Sequence, residues 1–168
     1  NIYVVGQYSG SFKFNETYKF TSKNYYQCFM WMNFVGEDYF IAKYDTTGNF
    51  IKATSFGDNY PDLSIDASID KNGDIYLIGY TDGINCNTTY SSMFKFDCEL
   101  NKIWEKTLST QTNTNYMLYA TNLFISNKNK IYVWGYVTKK FPVKTEEYFL
   151  ENNSKSDYSS YLLEFNPD

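Results

Sequence analysis

The sequence predicts an all-β chain of consecutive four-stranded antiparallel blades, a partial β-propeller with about three blades of a larger ring. Three observations predict it. A short apolar run closing on Gly recurs as Ile2-Tyr3-Val4-Val5-Gly6, Ile75-Tyr76-Leu77-Ile78-Gly79 and Ile131-Tyr132-Val133-Trp134-Gly135. A second run follows each in one register: Phe40-Ile41-Ala42-Lys43-Tyr44-Asp45, Met93-Phe94-Lys95-Phe96-Asp97 and Leu162-Leu163-Glu164-Phe165-Asn166. Finally, no stretch sustains a 3.6-residue apolar period with caps, so helix is not expected.

The Ile-Tyr run is strand b of each repeat, and its lack of polar alternation predicts a strand covered on both faces. The second run is strand c. Strand d comes after a tight turn, as Asn49-Phe50-Ile51-Lys52 and Lys102-Ile103-Trp104-Glu105. Strand a precedes the next b, as Ile65-Asp66-Ala67-Ser68-Ile69-Asp70 and Ala120-Thr121-Asn122-Leu123-Phe124-Ile125. The turns Asp45-Thr46-Thr47-Gly48-Asn49 and Asp70-Lys71-Asn72-Gly73-Asp74 set Gly where a hairpin needs positive φ, with an Asp able to bond the turn's own backbone.

The blades then divide as strands b to d over 1–57, a to d over 63–109 and a to c over 117–168. Only the middle one has all four strands. The chain opens within a strand and without Met, which reads as a piece of a longer protein, its missing strands supplied by further chain or by a neighbouring subunit. Strand b to strand c spans 41, 20 and 33 residues in the three repeats, whereas c to the next b spans 32 and 36. Insertion is thus confined to one end of the sheets, the end expected to carry binding.

Composition narrows the partners. The net charge is -4, with Lys and acidic residues interspersed, so no basic stripe suits nucleic acid. No apolar run is long enough for a membrane-spanning helix, and membrane insertion is not expected. Tyr 18, Phe 14 and Trp 3 make the chain rich in aromatics, a bias that an AT-rich genome alone can produce.

The phrase Ile41-Ala42-Lys43-Tyr44-Asp45-Thr46-Thr47-Gly48-Asn49, continued through Ser55-Phe56-Gly57-Asp58 to Ile69-Asp70-Lys71-Asn72-Gly73-Asp74-Ile75-Tyr76-Leu77-Ile78-Gly79-Tyr80, resembles the SBBP-type β-propeller repeats of large secreted bacterial proteins. That resemblance implies a scaffold or recognition module and brings no catalytic residues with it. The third repeat departs from it, with Glu164 in place of the Lys and Asn166-Pro167 in place of the turn Asp. A weaker likeness, through Phe56-Gly57 and the Asp70 to Asp74 turn, is to integrin-type FG-GAP repeats, where such a turn is a calcium loop. Asp70, Asn72 and Asp74 would offer three oxygen ligands. Against this, Ile75 stands where such loops prefer Gly, and the aligned turn Ser126-Asn127-Lys128-Asn129-Lys130 has no acid, so a plain hairpin is the expected reading and no cofactor is expected.

With no His in the chain, Ser-His-Asp and Cys-His catalysis is excluded within it, and zinc loses its commonest nitrogen ligand. Asp66, on the strand expected to line the central channel, is the most interesting acid, yet its counterpart is Thr121 or Asn122. Cys86 and Cys98 bracket a whole strand, about 20 Å at about 3.3 Å per residue, beyond disulfide reach. Cys28 and Cys86 both lie in b to c connections of adjacent repeats, where a bridge is geometrically open; three free thiols are the alternative. Sequons at Asn15, Asn87 and Asn152 fall one to each b to c connection.

The most apolar stretch, 25–34, reads as one extra strand with Tyr26, Cys28, Met30, Met32 and Phe34 on a single face. Packing on its own blade is the simpler use of it; a subunit contact or a sugar stacked on Trp31 and Tyr25 is the sharper one, with Tyr25, Tyr26, Phe29, Trp31 and Phe34 as the surface. The function expected is a non-enzymatic scaffold, adhesin or assembly subunit, extracellular or on the cell surface, whose partners are other blades, neighbouring subunits or carbohydrate. Two alternatives remain. One is a fibre subunit completed by strands from neighbouring chains, and the other a carbohydrate-active enzyme whose acids come partly from other blades.

Overall fold

A computed structural model of the chain describes residues 1–22, 25–29, 32–57, 62–82, 89–109, 118–138, 143–144, 149–150 and 158–167. From the N-terminus its strands are β1 (Ile2–Ser9), β2 (Ser11–Lys13), β3 (Lys19–Thr21), β4 (Tyr25–Phe29), β5 (Met32–Val35), β6 (Glu37–Tyr44) and β7 (Phe50–Phe56). The middle of the chain contributes β8 (Asp62–Ile69), β9 (Ile75–Asp82), β10 (Thr89–Phe96) and β11 (Lys102–Ser109). The last part holds β12 (Leu118–Ile125), β13 (Ile131–Thr138), β14 (Val143–Lys144), β15 (Phe149–Leu150) and β16 (Tyr158–Phe165). No helix occurs among the described residues.

The strands form three principal antiparallel sheets, ordered β1-β6-β7, β11-β10-β9-β8 and β12-β13-β16, and three two-stranded hairpins, β2-β3, β4-β5 and β14-β15. Among the described residues no sheet closes on itself as a barrel. The three sheets stack through two apolar cores. Tyr39 and Ile41 of the first sheet meet Ile75, Leu77, Phe94 and Phe96 of the second. On the far side of the second sheet, Tyr76, Ile78 and Met93 meet Leu123, Ile131, Val133 and Leu163 of the third. Successive side chains of a strand point to opposite faces, so β9 sends Ile75 and Leu77 one way and Tyr76 and Ile78 the other. All four are 0–1 % exposed, which is why this strand is apolar without alternation.

Four five-residue turns join neighbouring strands with one geometry. The N–H of residues 45, 70, 97 and 126 donates to the carbonyl four residues on, and the fourth residue's N–H donates back to the first carbonyl. That fourth residue has positive φ in every copy: Gly48 (89°), Gly73 (87°), Leu100 (62°) and Asn129 (61°). Leu at such a φ costs on the order of 1 kcal/mol, and burying its side chain, 4 % exposed within the first core, offsets that with about 2 kcal/mol. The first-position side chain completes each turn: Asp45, Asp70 and Asp97 each accept, through one carboxylate oxygen, the N–H groups two and four residues on, and Ser126 Oγ accepts that of Lys130.

The edge strands β8 and β12 each carry a bulge, between Ser64 and Asp66 and between Ala120 and Asn122, opposite Gly79 and Gly135. A side chain at Gly135 would overlap the Tyr119 carbonyl oxygen, so backbone crosses backbone there and only Gly fits.

The 25–34 stretch was expected to be one strand and is instead the hairpin β4-β5, with Tyr25 opposite Val35 and Tyr26 opposite Phe34. Folding the segment on itself pairs backbone groups that a lone extra strand would leave open along one edge. The other hairpin of the same connection, β2-β3, lies on the face of the first sheet turned away from the second. Phe14 stacks on Phe50 at 5.1 Å and meets Phe40 edge-on at 5.5 Å, while Phe12 lies 6.0 Å from Tyr8. Tyr8 reaches from beneath this lid to Ser55 Oγ at 2.6 Å.

Candidate functional site

The junctions between sheets carry the concentration of charge and hydrogen bonding in the described structure. On the paired strands β1-β6, β9-β10 and β13-β16 a Tyr faces a long charged side chain in register: Tyr3 opposite Lys43, Tyr76 opposite Lys95, Tyr132 opposite Glu164. In the first two sheets this pair reaches into the next sheet. Tyr3 Oη donates to the Cys98 carbonyl at 3.4 Å, Lys43 Nζ donates to the same oxygen at 2.8 Å, and Lys43 pairs with Glu99 at 2.9 Å. Lys52 adds a bond to the Glu99 carbonyl at 2.6 Å.

The second junction repeats the pattern one sheet on. Tyr76 Oη and Lys95 Nζ both donate to the Pro167 carbonyl, at 3.3 and 3.4 Å, and Lys95 pairs with Asp74 at 3.1 Å while lying over the Tyr76 ring. Each clasp takes a main-chain carbonyl two residues past the end of a strand, Cys98 after β10 and Pro167 after β16, and meets it with a cation, so the bonds are charge-assisted. The Glu99 hydrogen bond raises the Lys43 ammonium above its ordinary pKa, and Lys43 in turn lowers the Glu99 carboxyl. Burial pulls Lys95 down, but Tyr76 and Asp74 outweigh it and the net shift is upward; burial raises the Tyr76 phenol.

At the third sheet the clasp changes sign. Glu164 replaces Lys, bonds Tyr132 and pairs with Lys130 at 3.3 Å within its own sheet. The Tyr132 hydrogen bond, then Lys130, lower the Glu164 carboxyl, and the same bond raises Tyr132.

Asp66 lies on the edge strand β8 of the second sheet, where its Oδ1 accepts the N–H of Ala67 and its Oδ2 accepts the N–H of Leu123 in the third sheet at 2.8 Å. The bulge aligns Asp66 with Asn122, resolving the two counterparts that the sequence left open. Both carboxylate oxygens are engaged by backbone, an arrangement that joins the second sheet to the third.

The calcium-loop candidates Asp70, Asn72 and Asp74 sit in the turn geometry described above, with Asp70 Oδ1 bonded to backbone and Asp74 turned to Lys95. Among the described residues no three His, Cys, Asp or Glu side chains gather as a metal site. In the turns begun by Asp45 and Asp97, the fifth residue is Asn, whose Nδ2 donates to the second carboxylate oxygen; Asp74 cannot donate, and Asp70 Oδ2 is buried without a partner.

Asn15 is exposed, and its side-chain oxygen accepts the N–H of Thr17 and of Tyr18 at 2.9 Å in the β2-β3 turn. Asn87, Asn152, Cys86 and Trp31 lie outside the described residues, as do the side chains of Cys28, Tyr25, Tyr26, Phe29 and Phe34. Cys98 is an exposed free thiol.

Sequence reasoning missed the clasp and the aromatic lid. Its signal was present: the Lys of each second run keeps one register with the Tyr of each first run, and a buried strand has no use for a Lys unless something beyond the sheet receives it. No protein-family model and no curated protein matches this chain.

Proposed function

We propose that the three sheets are consecutive blades of a β-propeller, and that the chain serves as a non-enzymatic scaffold or recognition module of a large secreted or cell-surface protein. The observation that carries this reading is the clasp between sheets. The same Tyr and Lys, from the same strand positions, reach the main-chain carbonyl two residues past the end of a strand of the next sheet twice in succession, Cys98 and then Pro167. A unit repeated with its neighbour contact intact is how blades follow one another. The resemblance to SBBP-type repeats supports the same conclusion.

Recognition then belongs to the long b to c connections, where the repeats differ most and where the three sequons fall. Asp66 supports a binding module over a glycosidase, because its oxygens are committed to main-chain N–H groups. The test is a glycan array run beside a product assay on every glycan retained. Retention without product is expected. Turnover that disappears in Asp66→Asn would establish the carbohydrate-active alternative in its place.

A further inference from the structure

The Asn15-Glu16-Thr17 sequon lies between two rings that anchor it to the margin of the first sheet. Phe14 stacks on Phe50 at 5.1 Å, and Tyr18 meets the same ring edge-on at 5.3 Å. Phe50 opens β7, the edge strand of its sheet, and pairs with Tyr44, which in turn pairs with Ile2. The hairpin leaves the sheet at the other end, after Ser9, so it carries its turn across the sheet to the far outer corner. Asn15, Glu16 and Thr17 are all exposed there, and Glu16 pairs with Lys13 and Lys19 on the two strands of the hairpin.

The turn uses one half of the Asn15 amide. Oδ1 accepts the N–H groups of Thr17 and Tyr18, both at 2.9 Å, and Nδ2 takes no part in the turn. In the four turns of common geometry, Asp or Ser fills the same acceptor role. Asn15 differs from them in adding an amide nitrogen, with a Thr two residues on and no Pro between, which is the acceptor pattern for N-linked sugar. A sugar on Nδ2 leaves the Oδ1 acceptor in place, so the turn and the modification are compatible. Such a group is bulky and hydrated, and the outer corner gives it solvent to occupy.

We propose that Asn15 is an N-glycosylation site whose sugar stands at the outer margin of the first sheet, beside β7. This rests on the reading of the protein as secreted or displayed at the cell surface. The transfer joins Nδ2 to the anomeric carbon of an oligosaccharide and breaks that carbon's bond to a polyprenyl diphosphate carrier, which leaves. The amide proton passes to a base of the transferase, and no oxidant or reductant is consumed.

The test sends the full chain through the secretory pathway of a eukaryotic cell. Peptide N-glycosidase in heavy-oxygen water then labels each position that carried sugar, and peptide mass spectrometry reads the label. Label is expected at position 15 in the wild type and in Thr17→Ser, and its complete loss in Thr17→Ala, which keeps Asn15 and the main-chain N–H groups it accepts. The sugar at position 15 is also expected to be released from the folded protein without denaturant. An unlabelled position 15 in the secreted wild type, or label undiminished in Thr17→Ala, would overturn the proposal. A sugar released only after denaturation would overturn its placement at an open margin. Label at positions 87 or 152 with none at 15 condemns this site alone; a secreted chain bare at all three counts against the secreted reading as well.

Discussion

Asp66 and Leu123 join the edge strands of two sheets through a single 2.8 Å bond from a main-chain N–H to a carboxylate oxygen. It sits where strand edges of different sheets approach, and no ladder supplies that N–H with another acceptor. Asp66→Ala is expected to lower the unfolding free energy by about 1–3 kcal/mol, the cost of leaving a partly buried donor unmet. Asp66→Asn keeps an oxygen in place and is expected to lose less. Urea denaturation of the three proteins checks this ordering.

The two kinds of clasp respond differently to charge reversal. Lys95→Glu sets a carboxylate against the Pro167 carbonyl and Asp74 in a partly buried site, and roughly 1–3 kcal/mol of stability is expected to go. Glu164→Lys, on an exposed side chain, is expected to stay within about 0.5 kcal/mol when measured on dilute monomer. Equal losses in the two variants would mean that the second junction is open to solvent.

Gly135 and Gly6 close the same strand in two sheets but meet different neighbours. A Cβ at Gly135 overlaps a carbonyl of the main chain, which cannot move without breaking the bulge, so Gly135→Ala is expected to cost more than about 3 kcal/mol. At Gly6 the nearest atom is Cε1 of the Phe40 ring at 2.9 Å, a side chain that can tilt, and Gly6→Ala is expected to cost about 1 kcal/mol. Thermal melts of the pair separate the two cases.

Asp45 titrates with a sign fixed by its turn. The Thr47 hydroxyl, then Asn49, bond its carboxylate and hold the carboxyl well below the usual 3.8. The folded state therefore binds this proton less readily than the unfolded one. Its stabilising share is complete above pH 3.8 and is lost as the pH falls from there toward the depressed value. The difference in urea midpoint between wild type and Asp45→Asn should hold constant from neutrality to about pH 5 and shrink below pH 4. A difference that instead grew on acidification would contradict the turn geometry.

The three principal sheets and the Gly turns were legible because each is written in local sequence: an apolar run that ends in Gly, a turn that begins in Asp, and a phrase repeated between them. Leu100 and Asn129 were harder, since their left-handed backbone is imposed by the turn's hydrogen bonds and not announced by Gly. The β4-β5 hairpin was misread for a related reason. Alternation fixes which residues share a face but not whether the segment runs straight or doubles back, and the choice falls to backbone pairing. The clasp was invisible to any one repeat, because Lys43 and Lys95 acquire a role only when carbonyls 55 and 72 residues away arrive beside them.

The aromatic lid also bears on the order in which the chain folds. Its rings all belong to residues between Tyr8 and Phe50, so part of one face of the first sheet is covered by nearby chain, with little loop-closure entropy to overcome. Among the described residues no such lid covers the second sheet, whose two faces pack on the first and third sheets. Growth from the N-terminal end follows, each finished layer templating the one behind it. Pulse-labelled hydrogen exchange should find the amides of β6 protected ahead of those of β9.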